Sequence, residues 1–157
     1  MSRKPPAALK RETTGSVAIA VIAARFNEQI VDELLARCVA RLAELGVGSS
    51  KIEIHRVPGA FELPVAAKLA AKTGKFAAVI CLGAVIRGDT PHFDFVAGEA
   101  ARGIQSVAIE TAVPIIFGVL TTNTEDQARQ RLDAGKRAAE AAVEMAETCG
   151  KIRNGKR

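Results

Sequence analysis

Three short runs of this chain are apolar at almost every position: Ser16–Ala24 (SVAIAVIAA), Phe76–Ile86 (FAAVICLGAVI) and Pro114–Thr121 (PIIFGVLT). A strand with one face in water alternates apolar and polar residues, because successive side chains point to opposite faces of the sheet. A strand apolar throughout has both faces covered, which is the mark of a parallel sheet flanked by helices. A fourth segment, Lys51–Val57 (KIEIHRV), alternates and also reads as a strand. Helical spacing fills the intervals. In Glu28–Leu45 the apolar positions are Ile30, Val31, Leu34, Leu35, Cys38, Val39, Leu42 and Leu45, and Gly46 supplies a C-terminal stop. Phe61–Lys72 predicts a second helix ended by Thr73–Gly74, and Pro91 suits the first turn of a third running to about Thr111. Thr124–Leu132 predicts a short helix, and Gly135–Cys149 an Ala-rich last one stopped by Gly150. The order β-α-β-α-β-α-β-α-α gives an α/β domain with a four-stranded parallel sheet and helices on both faces. One domain over residues 13–150 is expected, with basic tails at 1–12 and 151–157.

The chain has 157 residues, enough to bury a core without staples. Aromatic residues are scarce: six Phe, no Trp and no Tyr. That argues against base-stacking nucleic-acid modules and against a Trp/Tyr membrane belt. The net charge of +5 invites an anionic partner. Its distribution does not, because the two ends hold eight of the 22 basic residues against Glu12, and the body is near neutral. Cys38, Cys81 and Cys149 show no metal spacing, and an odd count fits a reducing compartment. With no apolar leader and no run of about 18 apolar residues, the expectation is a cytoplasmic protein without membrane contact.

In parallel α/β sheets ligands bind outside the carboxyl ends of the strands. The loops to inspect are therefore Arg25–Asn27, Pro58–Glu62, Arg87–His92 and Thr121–Thr124. In the first, Phe26 either covers the sheet edge or lies over a planar ligand, with Asn27 as a polar contact. In the second, Glu62 is explained by the dipole of the helix it opens, or the helix start holds a ligand through free N–H groups. The third is the richest. Gly88 permits a tight backbone path, Thr90 is placed as N-cap, and a helix start with free N–H groups and a hydroxyl suits an anion. His92 stands beside it, positioned for acid/base work, whereas His55 sits mid-strand and reads as structural. Neither GxxxxGK[ST] nor a GxGxxG on the first βα turn is present, so nucleotide-hydrolase and dinucleotide readings fall away. Thr124 and Gln127 form a capping-box pattern. Arg131 is either solvated or a bidentate phosphate clamp.

Four blocks, each at a strand end, carry a resemblance: R-F-N at 25–27, V-P-G-A-F-E at 57–62, G-A-V-I-R-G-D-T-P-H-F-D at 83–94 and I-F-G-V-L-T-T at 116–122. With them the chain resembles the 6,7-dimethyl-8-ribityllumazine synthase family from about Ser16 to Ala146. The resemblance implies a flavodoxin-like three-layer α/β/α sandwich. It implies condensation of 5-amino-6-(D-ribitylamino)uracil with 3,4-dihydroxy-2-butanone 4-phosphate in riboflavin biosynthesis, with no metal and no redox cofactor. Carried onto this chain, Phe26 stacks on the pyrimidine, Asn27 with Ala60, Phe61 and Glu62 contacts the uracil and ribityl chain, and Ala84, Val85 and Ile86 line the ring pocket. Gly88, Asp89 and Thr90 hold the phosphate end, and His92 is the acid/base residue. Phe117 and Arg131 resemble residues that the family supplies from a neighbouring subunit, which implies a pentamer or a multiple of pentamers. After Arg131 the chain runs Leu132–Arg137, shorter than the Gly/Lys-rich connection often found in the family, so the size of the assembly and the role of Lys136 stay open. Phe76, Phe93 and Phe95 have no assigned role and read as packing, with Phe93 and Phe95 flanking the site. The competing readings are a non-catalytic relative that binds a lumazine or flavin, a riboflavin synthase on a related fold, and an anion-binding protein working through its tails.

Overall fold

The computed structural model describes residues 4, 6, 7 and 17–155, so the greater part of the basic N-terminal segment and the last two residues lie outside it. The strands are β1 (Ile19–Ala24), β2 (Ile52–Val57), β3 (Ala78–Ile86) and β4 (Ile115–Thr122). The helices are α1 (Glu28–Glu44), α2 (Leu63–Lys72), α3 (His92–Thr111), α4 (Glu125–Arg129) and α5 (Ala134–Arg153). All strand pairs are parallel, and the sheet order is β2-β1-β3-β4.

Both faces of the sheet are apolar for the reason the sequence suggests. Ile19, Val21 and Ala23 of β1 join Ile80, Leu82 and Ala84 of β3 in a core with α1 and α5. The alternate residues, Ala20 and Ile22 with Val79, Cys81 and Val85, form a second core with α2 and α3. The result is the three-layer α/β/α sandwich. β2 lies at a sheet edge and departs from the alternating expectation: its four central residues, His55 among them, are all exposed, and Ile54 keeps 45% of its surface in solvent. Among the described residues no helix is long and apolar enough to cross a membrane.

Helix ends follow the expected chemistry in part. Gly46 and Gly74 adopt the left-handed conformation (φ 88° and 73°) just past α1 and α2, as C-terminal glycines do. The capping box of Thr124 and Gln127 forms at α4. Three expectations shift. A single 3₁₀ turn, Ala60–Glu62, precedes α2, whose first turn takes Pro64. The short helix stops at Arg129, which puts Arg131 in the turn before α5 rather than on a helix. And α5 passes through Gly150 to Arg153, with Gly155 taking the left-handed φ of 64° instead. A glycine inside a helix costs only about 1 kcal/mol, too little by itself to end one. Lys151 and Arg153 are thus helical.

Candidate active site

The sheet order reverses direction between β1 and β3: from β1 the chain winds outward to β2, and from β3 outward to β4. Helices leave that point on opposite faces and open a crevice at the carboxyl ends. A cavity of about 600 Å³ lies there, lined from four segments.

Phe26 and Asn27 come from the end of β1. Arg25 N–H donates to Val57 O at 2.8 Å and Phe26 N–H to Pro58 O at 3.0 Å, so the β1/β2 ladder continues past both strands and fixes the root of Phe26. The Phe26 ring is 71% exposed. Asn27 takes a left-handed conformation (φ 58°, ψ 48°), and its Nδ2 donates to Ala84 O at 2.8 Å. That bond ties the first loop to β3 across the crevice.

Gly59, Ala60, Phe61 and Glu62 supply the second wall. Phe61 is 59% exposed, so a second aromatic ring borders the cavity. Glu62 occupies the N-cap position of α2 without capping it, and among the described residues its carboxylate has no hydrogen bond or ion pair. The dipole therefore accounts for its sign and not for its side chain.

Ala84, Val85 and Ile86 form the floor, and Gly88, Thr90 and His92 the third wall. The structure does not support a tight path at Gly88: its φ lies outside the left-handed region and the space around its Cα is open. Pro91, not Thr90, is the N-cap of α3, because proline's fixed φ already directs the chain into the helix. Thr90 sits one residue earlier, its Oγ1 accepting from His92 N–H at 3.4 Å. The exposed His92 ring has no hydrogen-bond partner among the described residues.

The cavity thus gathers Phe26, Asn27, Ala60, Phe61, Glu62, Ala84, Val85, Ile86, Gly88, Thr90 and His92. Asp89 does not line it. Phe117 and Arg131 are elsewhere: Phe117 lines a separate depression of about 460 Å³ over β4 and α5, and Arg131 Nη1 donates to Gln127 O at 2.8 Å. Phe93 and Phe95, read above as packing, line the cavity with Val96, and Phe95 is 67% exposed. They follow His92 in the first turn of α3, and a helix that begins at the site turns several of its first residues toward it. Chemically the site pairs flat apolar walls with one carboxylate, one imidazole and a hydroxyl beside a helix start. It suits a flat ligand that carries polar groups and an anion.

The family described as 6,7-dimethyl-8-ribityllumazine synthase matches residues 16–149. A 6,7-dimethyl-8-ribityllumazine synthase from Salinibacter ruber is 44% identical over 138 residues, covering 85% of this chain and 88% of its own. With a match across nearly every described residue, the chain belongs to the 6,7-dimethyl-8-ribityllumazine synthase family.

Proposed function

We propose that the cavity between β1 and β3 is the active site of a 6,7-dimethyl-8-ribityllumazine synthase, a transferase of riboflavin biosynthesis. Its substrates are 5-amino-6-(D-ribitylamino)uracil and 3,4-dihydroxy-2-butanone 4-phosphate. One observation carries the reading: the exposed rings of Phe26 and Phe61 stand over the same 600 Å³ space as Glu62 and His92, whose side chains have no partner among the described residues. Phe26 stacks on the pyrimidine. Asn27, Ala60 and Phe61 contact the uracil, and Glu62 accepts hydrogen bonds from ribityl hydroxyls. Ala84 to Ile86 hold the ring edge through backbone groups, and Gly88 and Thr90, which line the cavity where Asp89 does not, take the phosphate.

The chemistry asks for proton movement rather than a strong nucleophile. The 5-amino nitrogen adds to the ketone, water leaves to give an imine, and phosphate departs. The second nitrogen then closes the ring with loss of another water. His92 moves protons between these groups. Thr90 and the backbone N–H groups at the start of α3 stabilise the leaving anion, and holding two substrates together supplies much of the remaining acceleration.

Phe117 and Arg131 complete the site from a neighbouring copy, Arg131 on the phosphate. Their separation from the cavity of their own chain and the 43% exposure of Phe117 support this. The working form is then a cytoplasmic pentamer or a multiple of pentamers, built from one domain over residues 13–150. The test is direct. Purified protein mixed with both substrates forms the lumazine chromophore, in a chain with no Trp or Tyr to mask it. No chromophore above the uncatalysed background rules the reading out.

A further inference from the structure

Arg87 is the first residue beyond β3, and three contacts fix its side chain. Its backbone N–H donates to Thr122 O at 2.9 Å, which continues the β3/β4 ladder and anchors its root. Nε donates to Asn123 Oδ1 at 3.1 Å, Nη2 donates to Asp94 Oδ1 at 3.3 Å, and the guanidinium lies over the Phe93 ring, 4.3 Å from its centre. A flat group with donors on two edges and a face suited to stacking makes all three at once, and a lysine does not. Arg87 does not line the cavity, although Phe93, which it covers, does.

We propose that Arg87 is a positioning residue for the reaction, acting through His92; this rests on the reading of the cavity given above. Thr90 holds His92 from the N-terminal side through its backbone, and Phe93 with Asp94 follows it directly. By gripping Phe93 and Asp94, Arg87 sets the first turn of α3 against β3 and the β4–α4 loop, and so sets where the imidazole stands over the floor of Ala84 to Ile86. The Arg87–Asp94 pair is solvent-exposed (43% and 61% by side chain), so it contributes little to stability. Its effect is on geometry, and small misplacements of an acid/base group are costly in rate.

The test is a double-mutant cycle on the full chain. Arg87→Met and Arg87→Lys are each made with His92 intact and with His92→Ala, and kcat, KM for both substrates and thermal melts are measured. With His92 intact, Arg87→Met lowers kcat about 10- to 100-fold, the scale of a misplaced catalytic group, and leaves KM nearly unchanged. Arg87→Lys lowers it in the same direction by less, and decides the matter if the Met variant does not fold. In the His92→Ala background both substitutions lose most of their effect, because residues acting as a unit are not additive. An equal factor in both backgrounds overturns the proposal, since a general structural role gives that result. A rise in KM for the phosphate substrate at unchanged kcat also overturns it, and makes Arg87 a phosphate ligand. Wild-type protein that forms no lumazine overturns the reading of the cavity itself, a result distinct from either.

Discussion

Asn27 holds a backbone conformation that few side chains adopt, and its amide is also the bridge between the first loop and β3. Alanine there loses the hydrogen bond and keeps the left-handed strain. Asn27→Ala is therefore expected to destabilise the protein by about 2 kcal/mol in denaturant unfolding. Glycine tolerates that φ and removes only the bond, so Asn27→Gly is expected to cost less, near 1 kcal/mol. Equal losses would mean that strain plays no part. Phe26 makes the opposite prediction. Its ring is largely in solvent, so Phe26→Ala should leave the melting temperature alone and raise KM for the uracil about two- to tenfold, the worth of one aromatic stack.

Among the elements, α1 and α5 cross so closely that a Cβ on Gly135 would stand 2.2 Å from Leu34 O. Backbone cannot give way as a flexible side chain does. Gly135→Ala is expected to destabilise by about 1–3 kcal/mol, read as a lower denaturation midpoint at unchanged slope. The runs with no polar position, Ile19–Ala24 and Ala78–Ile86, were legible at once, because only a strand covered on both faces tolerates them. Their carboxyl ends then located the cavity. Less legible was whatever depends on two segments meeting. The periodicity of α3 marks Phe93 and Phe95 as helical, but which side of the first turn faces the crevice is set by how α3 lies against β3. Arg87 gave no signal for the same reason: its partners Asp94 and Asn123 come from separate elements. Gly150 does not end α5, although Lys151, Ile152 and Arg153 beyond it are all exposed; the left-handed glycine that follows the helix is Gly155.

For the whole molecule, two consequences follow. Burial pushes the thiols of Cys38 and Cys81 up to about 12. In the unfolded chain they ionise near pH 8.5 and bind fewer protons above it than the folded chain does. Their contribution is complete below that pH and falls as pH rises towards 12, by about 1.4 kcal/mol per pH unit for each thiol. Unfolding free energies between pH 8 and 11 should therefore slope down more steeply for wild type than for a Cys38→Ala/Cys81→Ala double variant; parallel slopes would contradict this. If a neighbour supplies Arg131, hybrid oligomers co-refolded from His92→Ala and Arg131→Ala chains regain activity. Roughly a quarter of their interfaces pair two intact halves, as random mixing in a ring requires. A site built within one chain would regain none.

The central claim is that proton movement in the cavity between β1 and β3 depends on His92. It is tested most directly by the steady-state rate of lumazine formation for purified, folded His92→Ala beside wild type. A loss of about 10- to 1000-fold in kcat with an unchanged melt is the predicted result, the scale of a general acid/base contribution. A His92→Ala rate equal to that of wild type would contradict it.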